Sequence, residues 1–168
     1  MANMIPISTV TVGSGGASAI EFTNIPQNYT DLLLKVSIRS SAAANVVDGN
    51  ITFNSSSSSF SWKELFTNGS SAISGSNTTN NALGQPAANS LTSSTFSSYD
   101  IYVPNYISSN NKSFSVDFAT ENNATLAYLG CIAALWSNTS PINAINIAPS
   151  SGNWQQHSSA TLYGIRKY

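Results

Sequence analysis

The sequence predicts an all-β protein, an antiparallel β-sandwich of jelly-roll-like type with about eight strands and a short N-terminal arm. Three observations lead there. Apolar residues recur at a period close to two almost throughout, and no long stretch carries the 3.6-residue period of an amphipathic helix. Clusters of Gly, Pro, Asn and Ser punctuate the alternating runs at short spacing, as turns do. The 168 residues suit one domain over 1–168 that can bury a core without disulfide staples.

Residues 1–12 are apolar, contain Pro6, and read as an arm or a first strand. Residues 5–12 and 19–23 both alternate, and Gly13, Gly15 and Gly16 between them predict a hairpin loop, because glycine takes positive φ without penalty. A phosphate-cradling loop would need a helix to begin after the glycines, whereas Ile20-Glu21-Phe22 continues as strand. Pro26 then initiates a turn. The clearest strand follows at 31–39. Leu32, Leu34, Val36 and Ile38 fall on one face, with Leu33, Lys35, Ser37 and Arg39 on the other. A slip of one residue would put the aliphatic set in water, so the register is strongly specified.

Asp48-Gly49-Asn50 turns the chain into Ile51-Thr52-Phe53, and residues 55–59 are all serine. Residues 61–66 fit either a strand or one helical turn. Residues 54–94 together are expected to form a long Ser/Asn-rich loop region. That length is uncommon without a purpose, so it is either an interaction loop or hides short strands of weak alternation. Alternation returns in Tyr99, Ile101 and Val103, then in Phe114, Val116 and Phe118. Residues 126–136 are apolar on both faces: Tyr128, Ile132 and Trp136 on one, Leu129, Cys131 and Leu135 on the other. Such a strand is either covered twice or faces a partner subunit. Ile145 and Ile147 follow a turn, and a last strand at 158–167 sets Ala160, Leu162 and Gly164 against Thr161, Tyr163 and Ile165.

Composition narrows the function. Charged residues are 8% of the chain, against about 25% in an ordinary soluble domain. Ser, Thr and Asn take their place, 65 of 168 residues. A formal net charge of −1 offers no basic footprint for nucleic acid. No apolar run is long enough to span a bilayer and no secretion signal is visible at the start, so synthesis in a cytoplasm is expected, with no membrane partner.

Catalytic chemistry has few candidates. His157 is the only histidine and Cys131 the only cysteine, which excludes a disulfide framework and a closed zinc shell. No nucleophile-elbow motif accompanies the serines. Asp117 and Glu121 come nearest to a carboxylate pair for glycoside cleavage, yet Asp117 lies on the polar face of its strand and reads as solvated charge. The expectation is therefore no enzyme, no cofactor and no metal. Trp154 and His157, in a loop, are the best pair for contacting a sugar or another exposed ligand.

Ile5-Pro6-Ile7-Ser8-Thr9-Val10-Thr11-Val12-Gly13-Ser14-Gly15-Gly16, followed by Ile20-Glu21-Phe22-Thr23-Asn24-Ile25-Pro26, resembles small virion proteins of tailed phages, those of cyanophages and other aquatic phages above all. Tyr29-Thr30-Asp31-Leu32, Ile101-Tyr102-Val103-Pro104-Asn105-Tyr106 and Ser158-Ser159-Ala160-Thr161-Leu162-Tyr163-Gly164-Ile165 are similar to the same pattern. Both ends and the middle are covered; residues 55–94 are not. The resemblance implies a β-sandwich that often trimerises and serves as a capsid decoration (cement) protein or a tail-fibre component. The expected role is a homotrimer on the virion head that binds the major capsid protein and stabilises the shell. The alternative is a tail-fibre or receptor-binding component that recognises host-surface glycan. Candidate subunit or capsid contacts are Ile5, Ile7 and Val10 in the N-terminal segment and Leu129, Leu135 and Trp136 in the two-faced strand. Candidate exposed loop contacts are Trp154 and His157.

Overall fold

The computed structural model describes residues 3–123 and 126–166. Among them are eleven strands and no helix: β1 (Asn3–Thr11), β2 (Ile20–Phe22), β3 (Asp31–Ile38), β4 (Gly49–Phe53), β5 (Phe60–Thr67), β6 (Ala72–Asn77), β7 (Ser97–Val103), β8 (Lys112–Thr120), β9 (Tyr128–Trp136), β10 (Ile145–Pro149) and β11 (Ser159–Arg166). They form an antiparallel two-sheet sandwich, divided unevenly. The large sheet has eight strands in the order β1-β11-β3-β7-β8-β9-β5-β6, and the small one has three, β2-β10-β4.

The core fills the space between the sheets. Leu32, Leu34, Val36 and Ile38 of β3 are all buried, as their alternation requires, beside Tyr99, Ile101 and Val103 of β7 and Phe114, Val116 and Phe118 of β8. Ile20, Phe22, Ile51, Phe53, Ile145 and Ile147 meet them from the small sheet. One end of this core is aromatic: Phe53 meets Trp136 edge-on at 5.5 Å between centroids, and Phe60 stacks on Trp136 at 6.2 Å. Such pairs contribute about 0.5–1.5 kcal/mol each beyond the area they bury.

Two sequence expectations are corrected by pairing. Residues 5–12 and 19–23 do not form a hairpin: β1 runs against β11 and β2 against β10. The glycine loop instead carries the chain from the large sheet to the small one, closing on Gly16 N–H to Gly13 C=O at 3.0 Å. Residues 154–158 hold the groups a hairpin would use. Ala17 and Trp154 exchange backbone hydrogen bonds of 3.0 and 2.7 Å, while Val12 donates to Ser158 C=O and accepts from His157 N–H. Gly16 has φ +70°, and a Cβ there would lie 3.0 Å from the Trp154 carbonyl. The glycines do turn the chain, but the partner of each strand lies far along it.

Residues 54–94 are likewise not one long loop. They contain β5, which resolves residues 61–66 as strand, and β6, whose only aliphatic residue besides Ala72 is Ile73. Residues 80–86 are irregular yet ordered against the rim of the small sheet. Ile51 N–H donates to Asn80 C=O, Leu83 N–H to Gly49 C=O and Gly49 N–H to Gly84 C=O. Ala82 and Leu83 within this segment, and Ala87 and Ala88 just after it, are buried.

Arg39 was expected on the polar face of its strand and is instead buried. It lies just past β3, where its guanidinium donates to the carbonyls of Leu91, Thr92 and Thr95 at 2.8–2.9 Å. The charge thus sits in a ring of backbone dipoles that shapes residues 89–95. Lys112, also buried, does the same elsewhere: its ammonium donates to Ser108 C=O at 2.7 Å and Asn110 C=O at 2.5 Å. Burial holds both cations below their ordinary pKa range.

Candidate functional site

The large sheet has two faces, and the small sheet covers one. The other is open, and its side chains follow from strand parity alone. One row crosses all eight strands: Thr9, Thr161, Lys35, Asp100, Asp117, Cys131, Leu65 and Ser74 are successive register partners from β1 to β6. A parallel row runs Ser98, Ala119, Leu129 and Thr67. Another pairs Ser115, Ala133, Lys63 and Ser76. The face is therefore mostly serine, threonine and alanine, with few charges.

On the β9–β5 side it is apolar. Leu129 is 62% exposed and Leu65 57%, beside the exposed Cys131. Ala133 is exposed and Leu135 half-buried on the same face. Leu65 and Leu129 adjoin on neighbouring strands, so their exposed surfaces join into one patch with Cys131. Three shallow grooves run over this face. One of about 580 Å³ lies between Lys35 and Leu129, one of about 640 Å³ between Lys63 and Leu135, and one of about 430 Å³ beside Leu65. Serine, threonine or alanine is among the residues that line each of them.

Charge on the face is unevenly matched. Lys35 reaches Asp100 at 2.5 Å, with both side chains about half exposed, a pairing worth at most about 1 kcal/mol. Asp117 stands directly across from Asp100, like charge opposite like charge. Among the described residues neither Asp117 nor Lys63 has an ion-pair partner.

The sequence-predicted residues separate into two groups. Leu129 and Leu135 lie on the open face, by the parity of β9. Trp136 does not: it is 1% exposed, in the aromatic core, because its parity is that of Ile132 and Ala134. Trp154 is also corrected. It is fully buried, its indole Nε1 donating to Ile147 C=O at 2.9 Å, and so is no exposed loop contact. Its backbone is bridged to Ala17 and Ser40, so the loop that carries it is folded inward. His157 is exposed, at φ 75°, with its amide held by Val12 C=O. Ile5, Ile7 and Val10 are half-buried in β1, whose ladder to β11 runs from Asn3 to Thr11. Residues 1–12 thus supply a first strand over their described part, and Ile7 and Val10 pack against the core rather than reaching outward.

Sequence reasoning missed Leu65 and Lys63. Their signal was present in Trp62-Lys63-Glu64-Leu65-Phe66, where Trp62 and Phe66 share the inner parity and leave Lys63 and Leu65 outside. Glu64 faces inward, half-buried, and its carboxyl lies above the usual range through burial and then through Asp48. Asp117 and Glu121 do not form a catalytic pair: Asp117 faces Cys131 on the open sheet, while Glu121 accepts from Asn123 N–H at 2.6 Å. Among the described residues no three His, Cys, Asp or Glu side chains converge as metal ligands. Comparison with family models, curated proteins and solved structures returns no match.

Proposed function

We propose that the chain is a structural subunit of a tailed-phage virion, acting on the head as a decoration protein that binds the major capsid protein and stabilises the shell. The single observation that carries this reading is the open face of the large sheet. It is broad, with leucines exposed beside small polar side chains and its charges at Lys35, Asp100, Asp117 and Lys63. A neighbour that covers it has to answer only Lys63 and Asp117, since Lys35 and Asp100 already pair. The ordered backbone behind it means that little chain entropy is lost on docking. Other copies of the chain and the capsid protein are the partners in this reading.

The alternative, a tail component that reads glycan, drew on Trp154 and His157 as a loop pair. Burial of Trp154 removes its aromatic platform, so the head is the location we put forward. The test is quantitative mass spectrometry of purified virions, with immunogold labelling. A fixed stoichiometry to the major capsid protein and label on the head are expected. Label confined to the tail, or absence from the particle, would overturn the proposal.

A further inference from the structure

We infer that the open face around β9 and β5 seats a second copy of this chain, across a two-fold axis lying in the face between Cys131 and Ala133. The inference stands on the chemistry of the face and needs no role in a virion.

Complementary charge is the first argument. Asp117 on β8 and Lys63 on β5 lie on either side of β9, one two-residue step apart along the strands. With strands about 4.8 Å apart and residues rising about 3.4 Å, their backbone positions are separated by about 12 Å. The midpoint of that line falls on β9 between Cys131 and Ala133. A two-fold axis through it, in the plane of the face and perpendicular to the line, places Lys63 of each copy over Asp117 of the other. Both charges are exposed and lack an ion-pair partner among the described residues. Asp117 is moreover opposed by Asp100, so a lysine from outside relieves a like-charge contact that Lys35 relieves for Asp100 alone. Asp100 on β7 is the further charge on the patch, and this axis carries it to the Lys63 side of the other copy, where it meets no carboxylate; the remaining positions are Leu65, Leu129, Leu135, Cys131, Ala133, Tyr102 and small polar residues.

Area is the second argument. An axis on β9 has β5 and β6 on one side, so the symmetric overlap is the five strands β7-β8-β9-β5-β6. Five strands of about seven residues cover roughly 24 by 24 Å. The two-residue offset of the charges inclines the axis to the strands, so the two patches cross and share about 500 Å² per copy, about 1,000 Å² in all, at the threshold for a specific interface. Shape agrees with this. Leu129 and Leu65 stand as ridges beside grooves floored by Ser98, Ala119 and Ala72, so each copy offers both knob and hollow.

Sedimentation equilibrium of the full chain tests it, together with maleimide labelling of Cys131, which is exposed in the single chain and lies next to the axis. A reversible two-fold association is expected, with labelling of Cys131 slowed as protein concentration rises. Leu129→Asp should weaken association at least about tenfold, because each copy would place a carboxylate in the other's apolar patch. Lys63→Asp and Asp117→Lys should each weaken it by about fivefold or more, and the double reversal should restore it. These are surface changes, and circular dichroism melts will register the native fold in each. A monomer at every concentration, a dimer indifferent to Leu129→Asp, or a double reversal no better than the single ones would overturn the inference. So would a chain that stays monomeric while this face binds capsid protein. None of these outcomes bears on whether the protein is found in virions, so the two proposals fail separately.

Discussion

Strand β9 has two apolar faces that meet opposite fates. Ile132, Ala134 and Trp136 lie beneath the small sheet and its aromatic cluster, while Leu129, Cys131 and Ala133 lie open. The residue types are alike on both sides. What differs is whether the fold supplies a cover, and a three-stranded sheet covers only one face of eight strands. Apolarity on the inner face is therefore a matter of the single chain's stability, to which the uncovered outer face adds little. Mutations on the two faces should separate these contributions.

The largest effect is expected from the covered side. Trp136→Ala should cost about 3–5 kcal/mol, read from urea denaturation, because a fully enclosed indole leaves a cavity among Phe53, Phe60 and Phe114. A loss under 1 kcal/mol would break the contrast. Next comes Arg39→Met, with a loss of about 2–3 kcal/mol, since the carbonyls of Leu91, Thr92 and Thr95 would be left without a donor. Limited proteolysis should then cut within 89–95, where the wild-type chain resists. On the open side, Leu129→Ala should shift the stability of the monomer by no more than about 0.5 kcal/mol. A larger loss would mean that the face is covered by something within the chain.

The smallest effect sharpens the comparison from the inner side of β5. Glu64 has its carboxyl pKa raised in the folded state, so the native protein holds that proton more tightly than the unfolded chain. The stability tied to neutral Glu64 is complete below the ordinary carboxylate range and is lost as pH rises through the raised value. Glu64→Gln cannot ionise. It should therefore melt slightly higher than wild type at neutral pH and no higher in acid. Equal shifts at both pH values would assign the effect to packing instead of charge.

Much of the fold was legible because period two is a local signal. Leu32 to Ile38, Tyr99 to Val103 and Phe114 to Phe118 needed no knowledge of the rest of the chain. Partner choice is not local, which is why Gly13 to Gly16 suggested a hairpin that β11 and β10 pre-empt. Strand β6 was hidden because an edge strand needs little apolar content when only one neighbour holds it. For the site, parity on β9 divided Leu129 and Leu135 from Trp136, but the covered side depended on where β2, β10 and β4 lay. Trp154 shows the same limit: a tryptophan among Asn and Gln looks exposed until Ala17 and Ser40 fold over its backbone.

The buried cations have a consequence for the environments this chain tolerates. Dissolved salt weakens attractions between charges that face water, and reaches interior ones poorly. Arg39 and Lys112 are buried, and among the described residues no carboxylate pairs with them; backbone oxygens accept their hydrogen bonds. The ion pair Lys35–Asp100, by contrast, sits on the surface, where losing it costs little. The loops at 89–95 and 108–110 should therefore hold their shape alike in dilute buffer and in brine, while contacts made through Lys63 and Asp117 weaken as salt rises. Ionic strength then becomes a dial on association that leaves the subunit itself untouched.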